Sequence, residues 1–226
     1  MMFTLFGGTF DPIHEGHLHL ATEIAAHFPI KTLFFIPAQQ NPHKAEKPDV
    51  CSDDRLQMLH LALREMNNPK FSILNWELNR TTPSYTVLTL ERFVVEYKQN
   101  PALVMGNEVF QRLSKWYRAE KVIDMADLIV INRQEMPFEP EILLKKLKIR
   151  DYKWKIEGQK LDHSGNRRWI EQLIIQPLPH SASLIREEIY RRWQQNDMEH
   201  PPQGIQRSVW QYIKEKRLYS VTKREG

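Results

Sequence analysis

The sequence predicts an α/β fold in which a doubly wound parallel sheet carries a small helical part at its C-terminal end. Short apolar runs of strand length alternate with longer stretches whose apolar residues recur at helical spacing. Parallel neighbouring strands need long crossover connections, so this alternation favours a parallel sheet with helices on both faces. The arrangement is Rossmann-like, and residues 1–226 are expected to form a single domain whose C-terminal helical part covers about 180–226.

Strands are predicted where a short apolar run ends at a residue that favours turns. The first run ends at Gly7 and Gly8, the second at Pro37 and the fourth at Gly106. The predicted strands cover residues 3–6, 32–36, 71–74, 102–105, 128–131 and 173–175.

Helices are predicted where apolar residues recur three and four positions apart, as they do from Leu18 and Ala21 onward. Ser52 or Asp53 is expected to cap the second helix, and Ser84 the third. The predicted helices cover residues 16–28, 53–66, 84–97, 107–115, 119–124, 182–194 and 205–216.

The stretch 135–168 shows no clear pattern, because basic and aromatic residues are mixed in a polar background. A solvated helix with surface loops is the expected structure there. A substrate lid or oligomer contacts are the main alternatives, so a homo-oligomer stays open. A nucleic-acid patch is the weakest option, because sequence alone does not separate it from an ordinary basic face.

Composition places the chain among globular proteins, with 41% hydrophobic and 27% charged residues. A single cysteine, Cys51, excludes an intrachain disulfide and suits a reducing compartment. The chain has neither an 18-residue apolar run nor a signal-peptide start, so we expect no membrane partner and a cytoplasmic location. The net charge of +4 permits anionic ligands without requiring a nucleic acid, and none is expected as a partner.

Four unusual clusters follow predicted strands, at residues 7–17, 37–44, 106–116 and 180–186. In open α/β sheets, ligands bind beyond the carboxyl ends of the strands, near the point where the strand order reverses. The positions of the clusters therefore predict one ligand site at that edge of the sheet.

The first cluster is suited to phosphate. Gly7 and Gly8 let the backbone turn and approach a ligand closely, and a helix that opens near Gly16 offers free N–H groups. His14 and His17 stand at that helix start and can donate to phosphate oxygens. A metal site is the alternative, with His19 as a further ligand, although the spacing is not that of zinc proteases. The P-loop and G-x-G-x-x-G patterns are absent.

The segment 7–18, G-G-T-F-D-P-I-H-E-G-H-L, closely resembles the first motif of bacterial nicotinate-nucleotide adenylyltransferases. These enzymes belong to the H-x-G-H nucleotidyltransferase superfamily, which also includes cytidylyltransferases and phosphopantetheine adenylyltransferases. The segment 37–44 resembles the family's P-x-x-x-P-P-H-K, with Asn41 in place of a proline. The resemblance implies that Lys44 brings a positive charge to the triphosphate.

Two further segments resemble the part of the family that binds nicotinate. Residues 77–90 are similar to E-L-x-R…S-Y-T-x-x-T-L, which implies that Tyr85 and Thr86 bind a carboxylate. Trp116 and Tyr117 match the family's tryptophan pair, so Trp116 is expected to stack on the pyridine ring. The resemblance also assigns Arg133 to the substrate carboxylate.

The remaining resemblances depart from the family in part. Glu108 stands where the family has aspartate in G-x-D, after Gly106. The segment 180–186 is similar to I-S-S-T-x-I-R, with His180, Ala182 and Ser183 as substitutions. Residues 209–219 resemble the family's tail, which is expected to pack structurally.

The resemblance implies transfer of AMP from ATP to nicotinate mononucleotide, with Mg²⁺ held through ATP and no metal ligand from the protein. The mononucleotide phosphate attacks the α-phosphorus directly. The implied catalytic residues are His14, His17, Lys44 and Arg186. The implied ATP-binding residues are Gly7, Gly8, Thr9, Phe10, Gly106, Glu108, Ser181, Ser183 and Ile185. The implied nicotinate-binding residues are Tyr85, Thr86, Trp116, Tyr117 and Arg133.

Three alternatives stay open. Nicotinamide mononucleotide differs from the expected acceptor only in its ring substituent. Another H-x-G-H enzyme would act on phosphopantetheine or a flavin. A sensor without catalysis would bind nucleotide on the same fold, and the altered 180–186 segment together with Glu108 keeps this interpretation open.

Overall fold

The computed structural model describes residues 1–40, 47–132, 137–147, 155–157, 160–162, 168–176 and 178–221. Its strands, numbered along the chain, are β1 (Met2–Gly8), β2 (Ile30–Pro37), β3 (Phe71–Ile73), β4 (Ala102–Gly106), β5 (Asp127–Asn132), β6 (Lys155–Glu157), β7 (Lys160–Asp162) and β8 (Trp169–Ile174). They form one sheet in the order β3-β2-β1-β4-β5-β8-β7-β6. The first six of that order are parallel neighbours, whereas β7 and β6 continue the sheet in antiparallel pairing.

The helices are α1 (Glu15–His27), α2 (Ser52–Met66), α3 (Thr86–Tyr97), α4 (Asn107–Gln111), α5 (Ala119–Met125), α6 (Pro140–Lys146), α7 (Ala182–Gln195) and α8 (Arg207–Lys216). A 3₁₀ turn, Leu113–Lys115, follows α4. Within the described ranges, no helix has the length and apolar character needed to cross a bilayer.

Two apolar cores lie on opposite faces of the sheet. Helices α1, α2, α7 and α8 pack on one face, and α3, α4, α5 and α6 on the other. Successive residues of a strand feed different cores, so Leu5 belongs to one and Phe6 to the other. The structure thus confirms the doubly wound α/β fold predicted from the alternation of strands and helices.

The structure differs from the sequence prediction mainly at the antiparallel edge. Strands β6 and β7 lie within the stretch 135–168, where a helix and surface loops were expected, while α6 agrees with the expected helix. Strand β8 begins at Trp169, earlier than the predicted 173–175. A three-residue strand is too short to show a periodicity of two, so its partner strand determines its conformation.

The order of the strands reverses between β1 and β4. The chain passes from β1 to β2 and β3 on one side, and then returns to β4 on the other. Strands β1 and β4 pair from Thr4–Ala102 to Phe6–Val104, and the last two residues of each strand lie beyond this pairing. A crevice at the carboxyl ends of β1 and β4 follows from this topology.

Candidate active site

Two glycines form the floor of the crevice. Gly7 is the second-last residue of β1 and Gly106 is the last residue of β4, and both are exposed. A methyl group built on either glycine would meet no atom of the described residues within 4 Å. The backbone at both strand ends is therefore open to a ligand, as the sequence predicted for Gly7.

Gly8 has a packing role in addition to the ATP contact that the sequence predicts for it. A Cβ at Gly8 would lie 2.8 Å from the ring of Phe10, so its missing side chain makes room for that ring. Phe10 adopts a positive φ of 51° and is 1% exposed. Its ring meets the His17 imidazole edge-on at a centroid distance of 5.1 Å. The side chain of Phe10 thus orients a predicted catalytic residue, while the ATP contact expected of Phe10 stays a prediction for its backbone.

The two histidines of H-x-G-H lie together at the start of α1. His14 is the N-cap residue of α1, and its ring centroid lies 3.8 Å from that of His17. A Cβ at Gly16 would approach the His14 ring to 2.9 Å. Glycine between the two histidines therefore allows the rings to approach, which explains the spacing physically.

Burial makes His14 a neutral group. Its side chain is 7% exposed, and in the described part of the chain its Nδ1 has no hydrogen-bond partner. Desolvation, with a smaller contribution from the nearby His180, lowers the pKa of His14 from 6.5 to about 4. At neutral pH the imidazole therefore offers a hydrogen bond and no positive charge.

Arg186 reaches the same loop from α7. Its Nη1 donates to the carbonyl oxygen of Asp11 at 2.8 Å, and its Nε forms an ion pair with the carboxylate of Asp49. The guanidinium is about one quarter exposed. Asp49 thus holds this predicted phosphate-binding group in the ligand-free protein.

The start of α7 is capped by its own side chain. Ser181 is the N-cap residue, and its hydroxyl accepts from the N–H of Leu184 at 3.3 Å. Ser183 is exposed, whereas the side chain of Ile185 is buried in the core and its N–H donates to the carbonyl oxygen of Ser181. Ser181 and Ser183 are therefore accessible to a ligand, whereas the side chain of Ile185 is not.

His180 packs against the start of α1. Its Nε2 lies 3.8 Å from a carboxylate oxygen of Glu15, and its side chain is 8% exposed. A Cβ at Gly204, where φ is +88°, would lie 2.7 Å from the His180 ring. A third imidazole therefore stands beside the H-x-G-H pair.

The residues assigned to nicotinate lie at the start of α3 and after the 3₁₀ turn. Tyr85 is the N-cap residue of α3, and its ring lies 4.8 Å from that of Tyr117. Tyr117 is 53% exposed, and Trp116 and Tyr85 pack at the edge of the same apolar core. Thr86 opens the helix. An aromatic wall beside a helix N-terminus is thus present where the sequence expected it.

Hydrogen bonds of the buried Ser84 join the segment before α3 to the residues that follow β2. Ser84 accepts from the N–H of Gln39 at 3.0 Å, and its own N–H donates to the carbonyl oxygen of Gln40. Thr89 donates to Glu77 at 2.6 Å. Burial raises the pKa of Glu77, an effect that hydrogen bonds from Thr89 and Ser84 oppose.

The end of β4 is linked to the end of β5. Asn107 is buried and donates to Asn132 Oδ1 at 3.3 Å. The adjacent Glu108 is exposed at the start of α4, beside the open Gly106. Lys44 and Arg133, which the sequence also assigned to the site, lie outside the described residues.

Sequence reasoning assigned no role to three buried polar residues under the site. Arg55 is 1% exposed, and its Nη1 donates to the carbonyl oxygens of Thr9 at 2.7 Å and Ala38 at 2.8 Å. Asp11 and Tyr219 are also buried and bonded to each other. Arg55 could have been found from its position on the apolar face of α2, in register with the buried Met58.

Comparison with known proteins supports a family. Residues 5–188 match the cytidylyltransferase-like family model. A probable nicotinate-nucleotide adenylyltransferase of Legionella pneumophila (strain Lens) is 33% identical over 221 residues, which cover 95% of this chain and 97% of that relative. A second protein of that description, from Clostridium kluyveri (strain ATCC 8527 / DSM 555 / NBRC 12016 / NCIMB 10680 / K1), is 37% identical over 157 residues, or 69% of this chain and 73% of that relative.

A solved structure extends the comparison to the fold. Plasmodium falciparum nicotinic acid mononucleotide adenylyltransferase complexed with NaAD superposes with a TM-score of 0.68 over 98% of each chain, at 18% identity. By sequence, this chain belongs to the cytidylyltransferase-like family of nucleotidyltransferases and, within it, to the nicotinate-nucleotide adenylyltransferases.

Proposed function

We propose that this enzyme transfers the adenylyl group of ATP to nicotinate mononucleotide, giving deamido-NAD and pyrophosphate for NAD biosynthesis. One observation carries the proposal: the His14 and His17 rings lie 3.8 Å apart at the crevice between β1 and β4. Arg186 reaches the same loop through its bond to Asp11. Three groups suited to phosphate oxygens thus converge on the strand ends where nucleotides bind in such sheets.

The proposed reaction is a direct displacement. An oxygen of the mononucleotide 5′-phosphate forms a bond to the α-phosphorus of ATP. The bond from that phosphorus to its bridging oxygen breaks, and pyrophosphate leaves with the electron pair. The attacking oxygen is already anionic, so no general base is required, and the protein acts by positioning and by stabilising charge.

Each group has a distinct part in this step. His14 and His17 donate hydrogen bonds to the oxygens of the reacting phosphorus, and an approaching anion raises the lowered pKa of the His14 imidazole. Arg186 and Lys44 bind the departing phosphates as cations, which requires Arg186 to leave Asp49. Mg²⁺ would enter as part of the MgATP substrate, where it would help to neutralise the negative charge of the triphosphate.

The adenylate is proposed to lie on the open backbone at Gly7 and Gly106, where a Cβ would meet no described atom. Thr9 and Phe10 continue that surface from β1, and Glu108 stands beside it for the ribose. Ser181 and Ser183 complete the phosphate contacts from α7.

The acceptor is proposed to lie against Tyr85, Trp116 and Tyr117. An electron-poor pyridine ring stacks well on an indole face. The N–H groups at the start of α3, with the Thr86 hydroxyl, favour a carboxylate on that ring, and Arg133 adds a cation. This chemistry favours the acid over the amide. The single cysteine is consistent with the cytoplasm as the site of the reaction.

Pyrophosphate release tests the proposal. The protein is mixed with MgATP and either nicotinate mononucleotide or nicotinamide mononucleotide, and ATP alone serves as the blank. We expect rapid release with the acid and at least tenfold slower release with the amide. Equal rates would refute the acid preference. Calorimetric binding of ATP without release in either mixture would refute adenylyl transfer and indicate a nucleotide sensor.

A further inference from the structure

Asp11 forms hydrogen bonds with three residues that are distant from it in the sequence. Its Oδ1 accepts from the Tyr219 hydroxyl at 2.8 Å, and its Oδ2 accepts from the N–H of Asp49 at 2.7 Å. Its carbonyl oxygen accepts from Arg186 Nη1 at 2.8 Å. We call these four residues the Asp11 cluster. Asp11 is 5% exposed and Tyr219 is 7% exposed, so the bond between them is shielded from water.

The bond from Tyr219 is a stable one. Burial, followed by the adjacent Asp11 carboxylate, raises the pKa of Tyr219 well above its ordinary value. The hydroxyl therefore stays protonated and donates throughout the working pH range. A buried carboxylate oxygen that loses its donor is strongly unfavourable, so Asp11 has one preferred orientation while Tyr219 is present.

The orientation of Asp11 bears on the site above it. Asp11 lies between Phe10, which orients His17, and the segment that leads to the cap residue His14. The same residue holds Arg186 through its carbonyl oxygen, and its carboxylate fixes the backbone of Asp49, which pairs with Arg186. A change in Asp11 therefore affects both partners of the guanidinium: the carbonyl oxygen that keeps it beside the loop, and the Asp49 carboxylate that it must leave to bind phosphate.

We propose that Tyr219, near the C-terminal end, is a positioning residue for the phosphate site, acting on Arg186 through Asp11. The inference rests on the proposed function only in taking the phosphates of ATP as the ligand of Arg186. Tyr219 is buried beneath the loop and bonds Asp11, so its effect is proposed to reach the triphosphate through Arg186 and not the acceptor.

The test compares two tyrosine-to-phenylalanine variants. Tyr219→Phe removes the hydroxyl that bonds Asp11. Tyr212→Phe is the matched control, because its hydroxyl also donates to a carboxylate at 2.8 Å, that of Asp54, outside the Asp11 cluster. We expect Tyr219→Phe to weaken MgATP binding and raise its KM about tenfold, the loss typical of one hydrogen bond to a charged group. The KM for nicotinate mononucleotide should stay within about twofold, and Tyr212→Phe should change neither constant.

A double-mutant cycle separates positioning from general destabilisation. Arg186→Ala removes the group through which Tyr219 is proposed to act. In that background, Tyr219→Phe should weaken MgATP binding by less than about twofold, because the two residues act as a unit. Additive losses would overturn the proposal, as would a Tyr219→Phe variant that binds MgATP as well as Tyr212→Phe does.

Folding and function are measured separately. If Tyr219→Phe does not fold, Asp11→Asn tests the second step of the proposal, from Asp11 to Arg186, because its amide opposes the N–H of Asp49 while an acceptor for Tyr219 is kept. The same rise in KM is expected, and an unchanged KM would overturn the proposal. Calorimetry measures MgATP binding without turnover, so a wild-type protein that binds MgATP but releases no pyrophosphate refutes the proposed function while the variants still test this inference.

Discussion

The buried imidazole of His14 makes the stability of the fold depend on pH in a defined window. Its pKa is about 4 in the folded protein and near 6.5 in an unfolded chain. Between those values the unfolded chain binds more protons than the folded one, so the free energy of unfolding falls as the pH falls from about 6.5 to about 4. The difference between the two pKa values corresponds to about 3 kcal/mol.

Urea denaturation at a series of pH values from 7 to 4 measures this loss. His14→Gln keeps a polar side chain that does not titrate, so the variant should lack the contribution of His14. We expect wild type to lose about 3 kcal/mol more than His14→Gln over this range, with similar urea m-values. His200→Gln, at an exposed histidine, controls for the substitution itself.

Parallel stability curves for wild type and His14→Gln between pH 6.5 and pH 4 would refute the reasoning. They would mean that the folded protein accommodates a charged His14, and the proposed neutral donor would be wrong. Saturating MgATP gives a second test. An anion beside the imidazole favours its protonated form, so bound MgATP should reduce the acid-dependent loss, beyond its uniform stabilisation by binding.

Three other substitutions test the site and its support. His17→Ala should lower turnover by about 10²- to 10³-fold with the fold retained, as measured by pyrophosphate release and circular dichroism; near-normal turnover contradicts its assignment. Gly16→Ala places a methyl group 2.9 Å from the His14 ring, and it should lower turnover at temperatures where the variant is fully folded. A lower melting temperature with unchanged turnover would show that the glycine serves folding alone. Arg55→Met removes a buried donor to two carbonyl oxygens and should reduce the free energy of unfolding by about 3 kcal/mol in urea, and the exposed Arg64→Met on the same helix should change it by less than about 0.5 kcal/mol.

The fold was predictable because its signals are local. Strands β1, β2, β4 and β5 each carry a short apolar run that contributes residues to both cores, so composition alone marks them. The antiparallel pair β6 and β7 was not predictable in the same way. Three residues per strand give no periodicity, and their place in the sheet depends on the edge that β8 presents.

The placement of the candidate site residues was predictable to the extent that they are contiguous. His14, Gly16 and His17 fall within one turn of chain, and their spacing predicted that both imidazoles lie at one helix start. The Asp11 cluster was not predictable from the sequence, because Asp11 and Tyr219 are 208 positions apart. A hydrogen bond over that separation leaves no pattern in the sequence, and the tail predicted to serve packing alone also donates to the loop beneath the site.

The departures of the segment 180–186 from the motif that it resembles change the surroundings of His14 more than the start of α7. Ser181 already caps α7, so alanine at 182 removes no hydrogen bond that the helix needs. His180, where that motif has isoleucine, fills the space beside Gly204 with an imidazole and lies near Glu15. It also contributes to the lowered pKa of His14, behind the larger effect of burial. His180→Gln should therefore raise the pKa of His14, as followed by NMR titration of the folded protein, whereas an unchanged pKa would assign His180 to packing alone.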